Sequence, residues 1–534
     1  MSLLFCAFSP ISIRKGLMTQ FYLQVFSEVF TMKSIFEQID EVVRLNGYVP
    51  PEFELDNALR PNEEEPKFKG AQEGLLGHPV GLPEDEMLNN AFNMIAENVK
   101  INARLAVHNF DDKDPGFTVA LIRGHLLKKV IDNINKFDPH KLSTLSYSLV
   151  MFGTKTETVK LGLLLLVLFD FADDEVVKKH LITLGLYEEF TSYILSNVKG
   201  WPENERNHVY YVYAQKLTGW GKINAMEQLE PVNDEVKEWI LKNGCRNDIS
   251  YGYLGKTAYE KCDLIKRLKK GGLDDEEIQG VRDIMRGLLD EGPAKGISEV
   301  KHPARLAMLY LKELSKHKVE LEDIANIYEL KSFVSKNDDR STPEDKENAV
   351  KLLDRLLGLS DADKMIKSGV VDSTNLAIYT AGEAGIDVSE ELMSQLKYNF
   401  IGYYRYGYYF MENDVLVDEF LSICEKNLPG LDYRDGMGME TAPPDSAQNW
   451  QLDFVIQHLS KYPGKGVKLL TTALSSAVYR YRLVASKVLK DWEKTENANI
   501  KKFNPELLKA VKKVKKKEVD NSLKKAWDEI LEYK

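Results

Sequence analysis

Proline and glycine fall at helical punctuation marks along this chain, and strand-type alternation is nearly absent. Proline stands where a first helical turn tolerates a residue without an amide hydrogen, at Pro83, Pro139, Pro202, Pro303, Pro343 and Pro505. Glycine falls just past apolar-periodic runs, at Gly47, Gly153, Gly185, Gly200, Gly244 and Gly358. Between these marks apolar residues recur three and four apart, which places them on one helical face. One element is complete: Thr342 caps, Pro343 opens, Glu344 and Asp345 suit the positive helix end, and Ala349, Leu352, Leu353, Leu356 and Leu357 form the buried stripe. Tyr481, Ala485, Val488, Leu489 and Trp492 repeat that spacing. With no βαβ rhythm, the expected fold is all-α. It consists of roughly twenty short helices joined by short turns, paired antiparallel into a HEAT/armadillo-like α-solenoid.

Two stretches break the rhythm. Residues 48–81 are rich in proline, glycine and charge, and read as an extended linker or wrapping arm. Residues 429–448, PGLDYRDGMGMETAPPDSAQ, form a long loop. They divide the chain into an N-terminal helical head at 1–47, a helical-repeat array at 82–428 and C-terminal repeats at 449–534 that include a basic tail helix. A start at Met32 fits, because KSIFEQIDEVVRLNG opens a clean helix there. The apolar run before Arg14 and Lys15 has the reverse order of a secretory leader.

Composition narrows the setting. Hydrophobic residues make up 43% and charged residues 29%, as in well-buried proteins. A formal net charge of -11 argues against a general nucleic-acid binder. Cys6, Cys245, Cys262 and Cys424 are scattered without a CxxC pair, which fits a reducing compartment, so the cytoplasm is the expected location. The most apolar run, LGLLLLVLF at Leu161–Phe169, lies between Lys160 and Asp170. It is about half the ~20 residues a membrane span needs, and reads as a core helix.

Familiar catalytic constellations fail on residue chemistry. GWGKIN at Gly219, GMGMET at Gly436 and GKGVKL at Gly464 lack the third glycine of a dinucleotide loop and follow no strand. No GxxxxGK[ST] occurs. Two Glu-x-x-His pairs, Glu205–His208 and Glu299–His302, match the spacing of a di-iron bundle. His302 precedes Pro303 and so avoids the helical region, which puts Glu299 ahead of that helix. Glu205 reads as a first-turn acid. Asp111, Asp112 and Asp114 resemble a calcium loop, but Arg123 stands where the bidentate glutamate belongs, so a turn is expected. Cys245, in KNGCRNDIS, lacks the frame of a haem thiolate and reads as a structural thiol. No haem, iron or flavin motif and no metal site is expected.

Two further stretches carry unusual side chains. KAVKKVKKKEV, Lys509–Val519, reads as an amphipathic helix with a solvated lysine face. YNFIGYYRYGYYF, Tyr398–Phe410, wound as one helix, puts Tyr403, Tyr406 and Phe410 on one stripe, Tyr404 and Tyr408 on a second and Tyr409 near a third. Gly402 and Gly407 give room for close approach. Either these rings are core at a helix junction, or Tyr403, Tyr404, Tyr406, Tyr408 and Tyr409 line a pocket for an apolar small molecule.

The central block resembles a bacterial HEAT-like helical-repeat family. The residues that carry the resemblance are Gly219–Trp220–Gly221–Lys222–Ile223, Trp239, Gly244, Arg246 and Asn247. They lie within about fifty residues of YAQKLTGWGKINAMEQLEP and EVKEWILKNGCRNDISYGYLGKTAYEKCDL. Some members carry the name limonene hydroxylase. The resemblance therefore implies a monooxygenase that uses oxygen and NADPH or NADH to hydroxylate a monoterpene, with the tyrosines as a terpene-contacting wall. It implies no catalytic residue. The alternative is a non-catalytic solenoid that holds a protein partner on its concave face.

Overall fold

Local sequence decides where the helices begin. Ser34 and Asp274 accept the amides of Glu37 (3.2 Å) and Glu277 (2.8 Å), and each glutamate returns a bond to its cap amide. This reciprocity satisfies donors that every helix start leaves orphaned. Asp138 caps Pro139–Phe152, and Thr342 accepts from Asp345 (3.1 Å) at the start of Pro343–Leu359. At the other ends, Gly47 takes the left-handed conformation, φ 76°, and Gly153, Gly185 and Gly244 also close helices. Gly358 differs from expectation: it lies in the last turn of Pro343–Leu359, not beyond it.

The computed structural model describes residues 11–12, 33–56, 69–71, 85–112, 118–292, 294–335, 340–372, 375–403, 406–428, 447–494 and 505–532. Among them the fold is all-helical. There are 28 α-helices against the roughly twenty expected, with short pieces such as Gly255–Lys261, Leu264–Lys270, Phe400–Tyr403 and Gly407–Met411 included. The extended pairing among described residues is a two-residue parallel bridge, Ile11–Ser12 with Phe169–Asp170. The chain forms two compact units: Met1–Lys318 with Leu330–Leu353, and Val319–Glu329 with Asp354–Lys534.

In the first unit, helix Ile35–Asn46 packs on Pro139–Phe152 and Glu175–Leu184. The Ile35 amide donates to the Gly153 carbonyl (3.0 Å), and Phe36 meets the His180 ring edge-on. Helix Thr156–Leu166 is buried on nearly every side, which explains its apolar run. Lys160 is buried with it and is held by Glu157 (3.0 Å) and Glu189 (2.6 Å), the pairing an interior charge requires. No helix among the described residues is long and apolar enough to cross a membrane.

The second unit has its own core. Phe410 stacks on Phe420 with centroids 5.2 Å apart. Tyr481, Ala485, Val488, Leu489 and Trp492 are all buried, as their spacing predicts. Arg482 and Glu518 are fully buried and paired twice, Nε to Oε2 (2.9 Å) and Nη2 to Oε1 (3.0 Å). The remaining Arg482 nitrogen donates to the carbonyls of Ser476 (2.8 Å) and Ala477 (3.0 Å). Leu507, Val511 and Val514 bury one face of the basic helix Pro505–Lys517.

Candidate functional site

The tyrosine stretch is not one helix. Asn399, at φ −137° and ψ 80°, ends Ser389–Tyr398, and its Oδ1 accepts from the Gly402 amide (3.0 Å), capping the short helix Phe400–Tyr403. A new helix, Gly407–Met411, follows Tyr406. Asn399 thus separates the rest of the stretch from the preceding helix, since its side chain offers the backbone an alternative to continued winding. The stripes expected over residues 403–410 are interrupted because Phe400–Tyr403 and Gly407–Met411 are separate helices. Tyr404 lies outside the described residues.

The other four tyrosines come together as two ring pairs. Tyr403 and Tyr406 are 6.0 Å apart, and Tyr408 and Tyr409 are 4.4 Å apart. Tyr403 is buried, and its hydroxyl has no hydrogen-bond partner among the described residues. Tyr406 donates to the Asn375 side chain, and Tyr409 to the Ile378 carbonyl (3.2 Å). Burial, followed by the bond to Tyr408, pushes the Tyr409 hydroxyl well above its ordinary range. Tyr408 is 46% exposed, and beside it in the chain Ile401 is 57% and Tyr398 90% exposed. The room at Gly407 is taken by the protein itself: a Cβ there would lie 2.9 Å from Phe420 and 3.1 Å from Phe454. This segment thus has a buried side made of core and an outer side made of exposed aromatic and aliphatic surface.

The Gly219 block forms a second constellation. Helix Trp220–Gln228 begins where Thr218, Gly219 and Gly221 point three amides at Glu188, which accepts them at 3.0, 2.7 and 3.0 Å. A Cβ on Gly219 would lie 2.4 Å from that carboxylate, and one on Gly221 2.6 Å from Leu217. The glycines therefore admit an internal anion. A pyrophosphate does not fit these amides, because Glu188 already occupies them and would repel it.

Around this clamp the other motif residues close up. The buried Lys222 ammonium donates to the Asn243 carbonyl (3.1 Å) and sits 5.8 Å from the Trp239 ring centre. Burial lowers its pKa to about 8. Gly244 closes helix Asp234–Asn243, and Arg246 pairs with Asp283 (2.6 Å). Asn247 accepts the amides of Ile249 and Ser250 while donating to the carbonyls of Cys245 and Ser250. Cys245 donates to the Asp283 carbonyl (3.2 Å), and burial, followed by the Asp283 charge, holds its thiol far above the usual range. A thiol so protonated is a poor nucleophile and a poor ligand. Glu188 and Asp283 are the partners that sequence reasoning missed: each stands more than thirty residues from the group it holds, and nothing local marks it.

The remaining candidates resolve singly. Glu205 lies in the first turn of Glu203–Lys216 and binds Lys178 (2.6 Å). Glu299 and His302 precede helix Pro303–Leu314, as the proline implies. Asp111 and Asp112 are helical instead of forming a turn, and Asp111 accepts from the Thr154 amide (2.9 Å) and hydroxyl (3.0 Å). Among the described residues no group of three or more His, Cys, Asp or Glu could hold a metal ion. A groove of about 480 Å³ beside helix Ala362–Val371 is lined by Leu321, Met365, Ser368, Asp361, Lys364 and Asp372. The chain matches no protein-family model, no curated protein and no solved structure.

Proposed function

We propose that this chain is a non-catalytic, HEAT-like α-solenoid that holds a protein partner. The observation that carries this reading is the outer side of the tyrosine segment, where Tyr398, Ile401 and Tyr408 present large side chains to solvent. Tyrosine supplies wide, stiff contact area at low entropic cost, which makes it a frequent anchor at protein interfaces. The Gly219 constellation supports the same reading, since Glu188 is held by backbone amides, Lys222 by a backbone carbonyl and Arg246 by Asp283, so that these charges serve the framework. A photo-crosslinking amino acid placed at Ile401 or Tyr408 should trap one discrete partner in cells, while the same group at exposed Leu45 should not. Uncrosslinked chain at every position would count against the scaffold.

A second reading has one observation in its favour: the buried Tyr403 hydroxyl lacks a partner among the described residues, and a small ligand with an acceptor would satisfy it. This reading is the monoterpene hydroxylase implied by the family resemblance. NADPH or NADH consumption that depends on limonene, with a hydroxylated product, would establish it. Turnover unchanged by limonene would remove it.

A further inference from the structure

We infer that the exposed lysine face of helix Pro505–Lys517 is a docking surface for an anionic phospholipid membrane. Lys509, Lys512, Lys513, Lys516 and Lys517 are all exposed, and none makes an ion pair or hydrogen bond with a described residue. At 3.6 residues per turn they fall within an arc of about 140° over about 12 Å of axis. An isolated lysine on a surface is ordinary. Glu506, in the first turn, is the one acid of the helix and shares this arc. Five lysines against one carboxylate still repel one another, and neighbouring carboxylates would relieve this if they were available.

Those carboxylates are committed elsewhere. Asp528 takes Lys515, the one intermediate lysine of the helix. Glu518 is buried with Arg482. Glu529 pairs with Lys490 (2.6 Å), and Asp520 caps helix Asn521–Glu532 through the Leu523 amide (2.8 Å). The apolar residues Leu507, Val511 and Val514 are buried in the core, so the helix cannot turn its oily side to a partner. It offers charge alone.

The chemistry of the face favours headgroups over bases. It carries ammonium groups but no arginine to fork onto a base edge and no aromatic ring to stack on one. Val519, 52% exposed just past the helix, adds an apolar residue that an interface accepts and a nucleic acid does not need. Clusters of four to eight lysines on a helix bind acidic lipid in this way, at about fivefold in affinity per lysine.

Sedimentation of the full chain with vesicles of about 30% phosphatidylglycerol in phosphatidylcholine tests the proposal. Binding is expected at low salt, with release as salt rises and no binding to pure phosphatidylcholine. The triple change Lys512→Glu, Lys513→Glu, Lys516→Glu should weaken binding by at least about 100-fold with an unchanged circular dichroism spectrum. If it unfolds, the glutamine versions of the same three changes keep the test, with a smaller loss. Equal sedimentation with neutral vesicles, a folded triple variant that binds like the wild type, or tighter retention on duplex DNA than on vesicles would each overturn the proposal.

Discussion

Lys222 and Glu188 hold charge near the same glycines in opposite ways. Burial lowers the Lys222 amine from 10.5 to about 8. Between about pH 8 and 10.5 the unfolded chain therefore carries a proton that the folded chain has shed, and stability rises with pH across that window. Lys222→Met removes the group from both states. The wild type should gain on this variant by up to about 3 kcal/mol between pH 7 and 10.5, read from denaturant melts at the two values. A constant gap would mean that the folded amine stays charged. Glu188 is different, because its charge is matched by three amides. Glu188→Ala should cost about 2 kcal/mol, and Glu188→Gln less, since a carbonyl oxygen can still accept the Thr218 and Gly219 bonds. Equal costs in the same melts would show that the acceptor is not what matters.

Two glycines inside helices show how far one sequence symbol underdetermines an element. A Cβ on Gly280 would lie 2.0 Å from the Leu241 carbonyl oxygen and 2.8 Å from the Lys242 Cα, so Asp275–Leu289 could not keep its distance from Asp234–Asn243. Gly124, within Val119–Asp132, has nothing within 4 Å of the same position. Gly280→Ala should destabilise by about 3 kcal/mol, and Gly124→Ala should stabilise by about 0.5–1 kcal/mol; thermal melts that rank them the other way would refute the packing argument. The same limit governs what the sequence could reveal. Caps and stripes are local, so the all-α class, Thr342, Pro343 and the Tyr481–Trp492 stripe were legible. Asn399 carried a readable signal too, being a capping residue three before Gly402, but the density of rings favoured a continuous helix. Glu188 and Asp283 were illegible because their partners are brought near only by packing.

At the scale of the whole chain, the two compact units carry separate cores, and each holds one of the variants that tests it. Gly280 belongs to the first and Arg482 to the second. Burial alone would raise the Glu518 carboxyl, but the bonds from Arg482 and the Asp520 and Val519 amides hold it below its ordinary 4.5. That contribution is present above about pH 4.5 and fades as pH falls through the lowered folded value. Arg482→Ala leaves the carboxylate buried without its partner, at a cost of about 3–5 kcal/mol, or about 10 °C in the melting of a unit this size. Calorimetry at pH 7 should show two transitions, one lowered by Arg482→Ala and the other by Gly280→Ala. A single transition moved by both changes would mean that the units unfold together. Acid supplies the internal control. Without Arg482 the sign inverts, because burial then raises the Glu518 pKa and protonation relieves the buried charge. The gap between wild type and Arg482→Ala should therefore narrow from pH 7 to pH 4, and a gap that widens would contradict the pairing that holds the second core.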